Sequence, residues 1–162
     1  MQAYSEIMEM SSSPANPVFQ KKYTGGYRVR RDTSWRKAYF LLMETCRERK
    51  SVSFGDILLS MFQDTGQIEA SFSSKMLVTL DPDMPIWDSK VLKSLKLRLK
   101  GKTPEIRFSN AVILYDCICR WYKTFLETDE AGRMIRRFDQ AFPEYRSFSA
   151  VKKIDFILWA SQ

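Results

Sequence analysis

Residues 70–95, ASFSSKMLVTLDPDMPIWDSKVLKSL, contain the features that decide the fold of this chain. A serine-rich start followed by apolar residues predicts a short helix that carries Lys75. Pro82 and Pro85 then remove backbone donors and bias the residues before them away from helix, so they predict a turn. Asp88 follows at a position where a carboxylate caps a second, basic helix. The segment therefore predicts helix, turn and helix, with a lysine before the turn and a carboxylate after it.

The sequence on both sides of this segment is also helical in pattern. Apolar residues recur at spacings of three and four from Trp35 to Cys46, and Ser53 precedes Asp56 at the spacing of a capping box. Gly66 suits the end of that helix. Further helices are predicted from Ser109, from Thr128 to Phe142 and from Ser149, the last so apolar that it should be buried. We therefore expect an all-α fold, a single orthogonal helical domain of roughly six or seven helices over residues 32–162.

Residues 1–31 predict a partly flexible N-terminal extension. Ser11–Pro17 is rich in turn-forming residues, and Gly25 and Gly26 interrupt any regular element. The first residues lack the basic and apolar regions of a signal peptide, and no apolar run approaches the ~18 residues of a membrane span. We expect a cytoplasmic protein with no membrane partner.

The composition favours an anionic partner and excludes several catalytic classes. Lysine and arginine number 26 against 19 acidic residues, a net charge of +7, which favours nucleic acid, although a merely basic protein remains an alternative. The absence of histidine excludes Ser-His-Asp and Cys-His catalysis and histidine-ligated zinc. Cys46, Cys117 and Cys119 are expected to be reduced, buried thiols, so we expect no metal site and no cofactor.

Lys75 and Asp88 are the candidate catalytic residues. A neutral lysine amine can form a Schiff base with a sugar or carbonyl carbon, and a nearby carboxylate can deprotonate a nucleophile or stabilise an oxocarbenium-like centre. The alternative is a solvated lysine and a helix cap. The sequence alone leaves both interpretations open.

A dense run of basic residues follows Asp88 and suits phosphate groups, which supply most non-specific affinity for nucleic acid. The alternative is a solvated charged face over a leucine core. Trp87 and Phe72 are candidates for stacking on a base, although core positions would also suit them. The predicted nucleic-acid-binding residues are Lys90, Lys93, Lys96, Arg98, Lys100 and Lys102.

The segment Pro85–Val91, PIWDSKV, resembles the core of the helix-hairpin-helix DNA glycosylase superfamily. In that superfamily an apolar-Asp-x-x-Val run opens the helix that bears the catalytic aspartate. The resemblance implies an all-α fold, Asp88 as that aspartate, and Lys75 near the Schiff-base lysine of the bifunctional members. It covers residues 52–97, but Ile68–Ser74, IEASFSS, lacks the hairpin glycines that bind a DNA phosphate. The chain also looks similar to small uncharacterised bacterial proteins that share stretches like SFSSK, PIWDS and KKIDFILW.

Two functions follow as hypotheses. The first is a DNA-binding, glycosylase-like protein that excises damaged bases. The second is a non-catalytic helical module that binds a protein partner, of the kind associated with bacterial or phage defence. Glycines before Lys75 would have favoured the enzyme, and their absence keeps the second hypothesis open.

Overall fold

The chain is helical in the computed structural model, which describes residues 1–160. Nine α-helices and one 3₁₀ turn follow one another along these residues, and no strand occurs among them. The predicted all-α class is therefore confirmed. The helices are α1 (Gln2–Glu9), α2 (Pro17–Gly26), α3 (Thr33–Arg47), α4 (Phe54–Thr65), α5 (Ala70–Leu80), α6 (Ser89–Ser94), α7 (Pro104–Leu126), α8 (Asp129–Ala141) and α9 (Ala150–Ala160), with the 3₁₀ turn at Pro143–Tyr145.

The helices form two compact units, Met1–Leu80 with α1–α5 and Asp81–Gln162 with α6–α9. Seven of the nine α-helices begin after residue 32, in agreement with the number expected for that region. The assignment of a single domain to residues 32–162 stays a prediction. Within residues 1–160, no helix combines the length and the apolar character that crossing a membrane requires.

Residues 1–31, for which the sequence predicts a partly flexible extension, carry two helices. Helix α2 begins at Pro17 because the Asn16 side chain accepts a hydrogen bond from the backbone N–H of Val18 (2.8 Å) and proline fits the first helical position. Phe19 and Tyr23 on this helix are fully buried. Burial of each ring contributes about 2 kcal/mol, more than the roughly 1 kcal/mol that each glycine in the last turn costs.

Aromatic side chains form much of the core of the first unit. The Tyr39 hydroxyl donates to the backbone carbonyl of Phe72 (2.8 Å) and accepts from the Tyr23 hydroxyl (2.6 Å). Burial raises the pKa of both tyrosines well above the usual value, so both hydroxyls remain protonated. Phe40 packs edge-on against Tyr23 and Tyr39. Satisfied hydroxyls inside this cluster therefore fix which faces of α2, α3 and α5 meet.

The predicted ends of α4 are confirmed. The Ser53 hydroxyl accepts from the backbone N–H of Asp56, whose carboxylate accepts in turn from the backbone N–H of Ser53, which completes the capping box. At the other end Gly66 has a φ of 66°, the left-handed conformation that glycine adopts without steric cost. Both signals act within a few residues, which is why the sequence alone reveals them.

The second unit differs from the expectation at two helix ends. Helix α7 begins at Pro104 rather than at Ser109, because Thr103 caps it by accepting from the backbone N–H of Ile106 (3.4 Å). Helix α9 is buried from Val151 to Asp155, but Trp159 in its last turn is 51% exposed. The expectation that this helix is buried throughout is wrong for its C-terminal end, where the apolar pattern continues past the core.

Candidate functional site

Asp88 lies at the junction between the proline-rich loop and α6. Its Oδ1 atom accepts a hydrogen bond from the backbone N–H of Lys90 (2.8 Å), and its backbone is extended (φ −123°, ψ 150°), so it is the N-cap of α6. This contact uses one of the two carboxylate oxygens, and the side chain is half-buried. The capping role that the sequence predicts is therefore present, and it leaves the carboxylate at the edge of solvent.

Three buried or half-buried side chains hold the loop that leads to Asp88. The Tyr115 hydroxyl donates to the carbonyl oxygen of Pro85 (2.7 Å), and the Ser149 hydroxyl donates to that of Pro82 (2.8 Å). The backbone N–H of Ile86 is hydrogen-bonded to the carboxylate of Asp155. Tyr115 lies on α7, Ser149 directly precedes α9 and Asp155 lies in the middle of α9, so the loop is fixed by elements that lie beyond α6 in the sequence.

Asp155 is the centre of a buried polar network. Its Oδ2 atom lies 2.8 Å from the ammonium nitrogen of Lys152, and its Oδ1 accepts from the Tyr122 hydroxyl (2.5 Å). Burial raises the pKa of the Asp155 carboxyl, and the Lys152 ammonium and the Tyr122 hydroxyl act against that rise. Burial likewise raises the pKa of Tyr122, which keeps its hydroxyl protonated as a donor. Sequence reasoning missed this network because it treated α9 as an apolar helix.

The predicted phosphate-binding residues fall into two groups. One group is exposed and runs from the last turn of α6 into the non-helical segment that follows, where basic residues alternate with half-buried leucines up to residue 100. We call these residues the basic tract: Lys93, Lys96, Arg98, Lys100 and Lys102. Lys96 has a φ of 55° and the backbone N–H of Leu97 bonds to the carbonyl of Leu92 (2.8 Å), which ends α6 and releases the chain into a non-helical segment.

Lys90, the sixth predicted residue, has a different environment. Its ammonium nitrogen lies 3.8 Å from the centroid of the Trp159 ring and donates to the Trp159 carbonyl oxygen (3.1 Å). Trp87, a predicted stacking residue, is 6% exposed. A base would reach its ring only after the loop moved, so that stacking role stays a prediction.

Lys75 and Phe72 lie on α5 in the first unit, whereas Asp88 belongs to the second. The Lys75 ammonium nitrogen lies 4.9 Å from the Phe72 ring centroid and 5.6 Å from that of Tyr27, and its side chain is half-buried. The Arg31 guanidinium also lies over the Phe72 ring, at 5.6 Å. Two cations thus border the ring that the sequence nominates for stacking. The catalytic role of Lys75 and the stacking role of Phe72 stay predictions.

The first unit also has a cleft of about 330 Å³ that includes none of the predicted site residues. Arg31 on its wall pairs with the buried carboxylate of Glu69 at 2.8 Å, and Trp35 forms part of the lining. Within the described chain, no group of three or more Cys, Asp or Glu side chains is arranged to hold a metal ion. No family model, curated protein or solved structure matches the chain.

Proposed function

We propose that the protein binds DNA through the basic tract of its second unit. The observation that carries this proposal is the alternation after α6, where leucines are half-buried and the basic side chains between them are exposed. The alternating exposure indicates that the cations at positions 96, 98 and 100 lie on the solvent side of this segment and the leucines on the other side. Such a surface suits the regular negative charge of a nucleic-acid backbone.

We further propose that the reaction is base excision, with Asp88 as the catalytic carboxylate. The resemblance of Pro85–Val91 to the glycosylase core supports this assignment, as do the hydrogen bonds that hold the loop before Asp88 to Tyr115, Ser149 and Asp155. In such a reaction the carboxylate takes a proton from a water molecule whose oxygen bonds to the C1′ atom of the sugar. The bond between C1′ and the base breaks, and the base leaves with the electron pair and takes up a proton from water, while the carboxylic acid returns its proton to water.

Fluorescence anisotropy with a labelled DNA duplex at several salt concentrations tests the binding proposal. Replacing Lys100 and Lys102 with glutamine should lower the slope of log K against log salt by about two units at most, one for each phosphate that the variant no longer neutralises. The matched control replaces Lys37 and Lys50, which are exposed in the first unit, and should leave the slope unchanged. Equal changes of the slope in the two double variants would contradict the proposal, because they would show that only the total charge of the protein determines DNA binding.

The excision proposal is tested with the Asp88→Asn variant on duplexes that contain different damaged bases. Asparagine is an acceptable N-cap, so the melting temperature should remain near that of the wild type. Loss of the carboxylate that takes the proton from water should slow excision by about 100-fold or more. Asp83→Asn, in the same loop, is the control and should retain activity. For Lys75, borohydride should trap a covalent DNA adduct that Lys75→Ala abolishes.

A wild-type protein that binds DNA without excising any base in the panel would exclude the glycosylase activity. It would favour the non-catalytic interaction module, whose partner is then sought among proteins.

A further inference from the structure

Trp159 is the tryptophan that the second unit exposes to solvent. Its side chain is 51% exposed, whereas Trp87 is buried and Trp121 is half-buried. The free surface of the Trp159 ring lies beside the helix that Asp88 caps, because α6 and α9 pack against each other.

Lys90 fixes a positive charge against this ring. Its ammonium nitrogen is 3.8 Å from the ring centroid, well within the distance of a cation–π contact, and it also bonds to the Trp159 carbonyl oxygen. An ammonium has three donors, so this arrangement leaves it able to donate to a further acceptor. The backbone N–H of Lys90 bonds to Asp88, which couples the pair directly to the candidate catalytic carboxylate.

We infer that Trp159 and Lys90 form a subsite for an unpaired nucleotide, with the base on the face of the indole ring that the ammonium does not cover and a phosphate at the ammonium. This inference rests on the proposed function and specifies that the DNA is bound as a single strand or as an extruded nucleotide. Bases within a duplex stack on one another and cannot also stack on the ring, whereas a single strand or an extruded nucleotide presents a free face. The subsite therefore distinguishes single-stranded from duplex DNA, which the basic tract does not.

The competing explanation is that Lys90 only caps the C-terminal end of α9 and covers an apolar ring. A lysine in that role satisfies a terminal carbonyl and interacts favourably with the helix dipole. This explanation predicts that replacing Trp159 lowers the stability of the protein and leaves nucleic-acid binding unchanged. The two explanations therefore differ in what the Trp159→Ala variant does to binding.

The test measures anisotropy for a labelled single-stranded oligonucleotide and for the duplex of the same sequence. Trp159→Ala should weaken single-strand binding by about 10-fold and change duplex binding by less than about 3-fold, while Trp159→Phe should retain most of the affinity because a ring remains. Ile113→Ala, which truncates another exposed apolar side chain of the second unit, is the matched control and should bind like the wild type.

The salt dependence separates the two members of the pair. Trp159→Ala should leave the slope of log K against log salt unchanged, whereas Lys90→Met should lower it by about 0.7, because one phosphate of the single strand is no longer neutralised. Equal weakening of single-strand and duplex binding in Trp159→Ala, or no weakening, would overturn the subsite while the basic-tract proposal stood. Failure of the wild type to bind either probe would overturn both proposals.

Discussion

Replacing Lys152 with methionine should destabilise the second unit by about 3–5 kcal/mol, because it leaves the Asp155 carboxylate buried without its counter-charge. The magnitude follows from burial. The two side chains are 4% and 5% exposed and their charged atoms are 2.8 Å apart, whereas a pair of this geometry at the surface would contribute about 0–1 kcal/mol. Methionine fills similar space, so loss of packing adds little.

Adding Asp155→Asn to Lys152→Met should restore more than half of the lost stability. Asparagine removes the unpaired charge, and its side-chain oxygen still accepts a hydrogen bond from the Tyr122 hydroxyl or the Ile86 N–H. A second change that improves stability is the signature of a buried ion pair, because two independent losses would instead add.

Urea unfolding followed by tryptophan fluorescence and by circular dichroism measures both variants, and agreement of the two probes checks that the transition is two-state. Lys93→Met removes an exposed charge from the same unit and should change the free energy of unfolding by less than about 0.5 kcal/mol. The reasoning is refuted if Lys152→Met costs less than about 1 kcal/mol, or if Asp155→Asn deepens the loss.

Three further outcomes are expected. Lys96→Gly should raise the free energy of unfolding by up to about 1 kcal/mol, because glycine tolerates the positive φ there; a lower melting temperature would contradict this. Ser53→Ala should cost about 0.5–2 kcal/mol in urea unfolding. Because the side-chain hydrogen bond from Ser53 lowers the pKa of Asp56, the part of the wild type's advantage over Ser53→Ala that depends on the Asp56 carboxylate is present above about pH 4 and is lost as pH falls through the folded pKa. Burial instead raises the pKa of Asp155, so melting curves should show wild-type stability falling relative to Asp155→Asn as pH rises from about 4 through the folded pKa; a relative gain would contradict the assigned direction.

The helical class and several helix ends can be predicted from the sequence alone, because the interactions responsible act over a few residues. Ser53 and Asp56 cap α4 through contacts between positions three apart, Gly66 ends that helix, and Thr128 caps α8. Asp88 belongs to the same group, since its carboxylate binds an N–H two residues ahead. Such signals can be recognised in the sequence because they do not depend on how the rest of the chain folds.

Tertiary structure decided which side chains are buried and which are exposed. The sequence leaves Trp87 open as a stacking residue or a core residue and places Trp159 on a helix that is expected to be buried, yet Trp87 is buried and Trp159 is half exposed, because the end of α9 extends past the core. Lys152, three residues before Asp155, supplies its counter-charge from the same helix, but the other carboxylate oxygen is satisfied only because Tyr122, on another helix, donates to it. A hydrophobic pattern predicts that a helix has a buried face, but the hydroxyl that completes the network around Asp155 comes from α7, and only folding brings the two helices together.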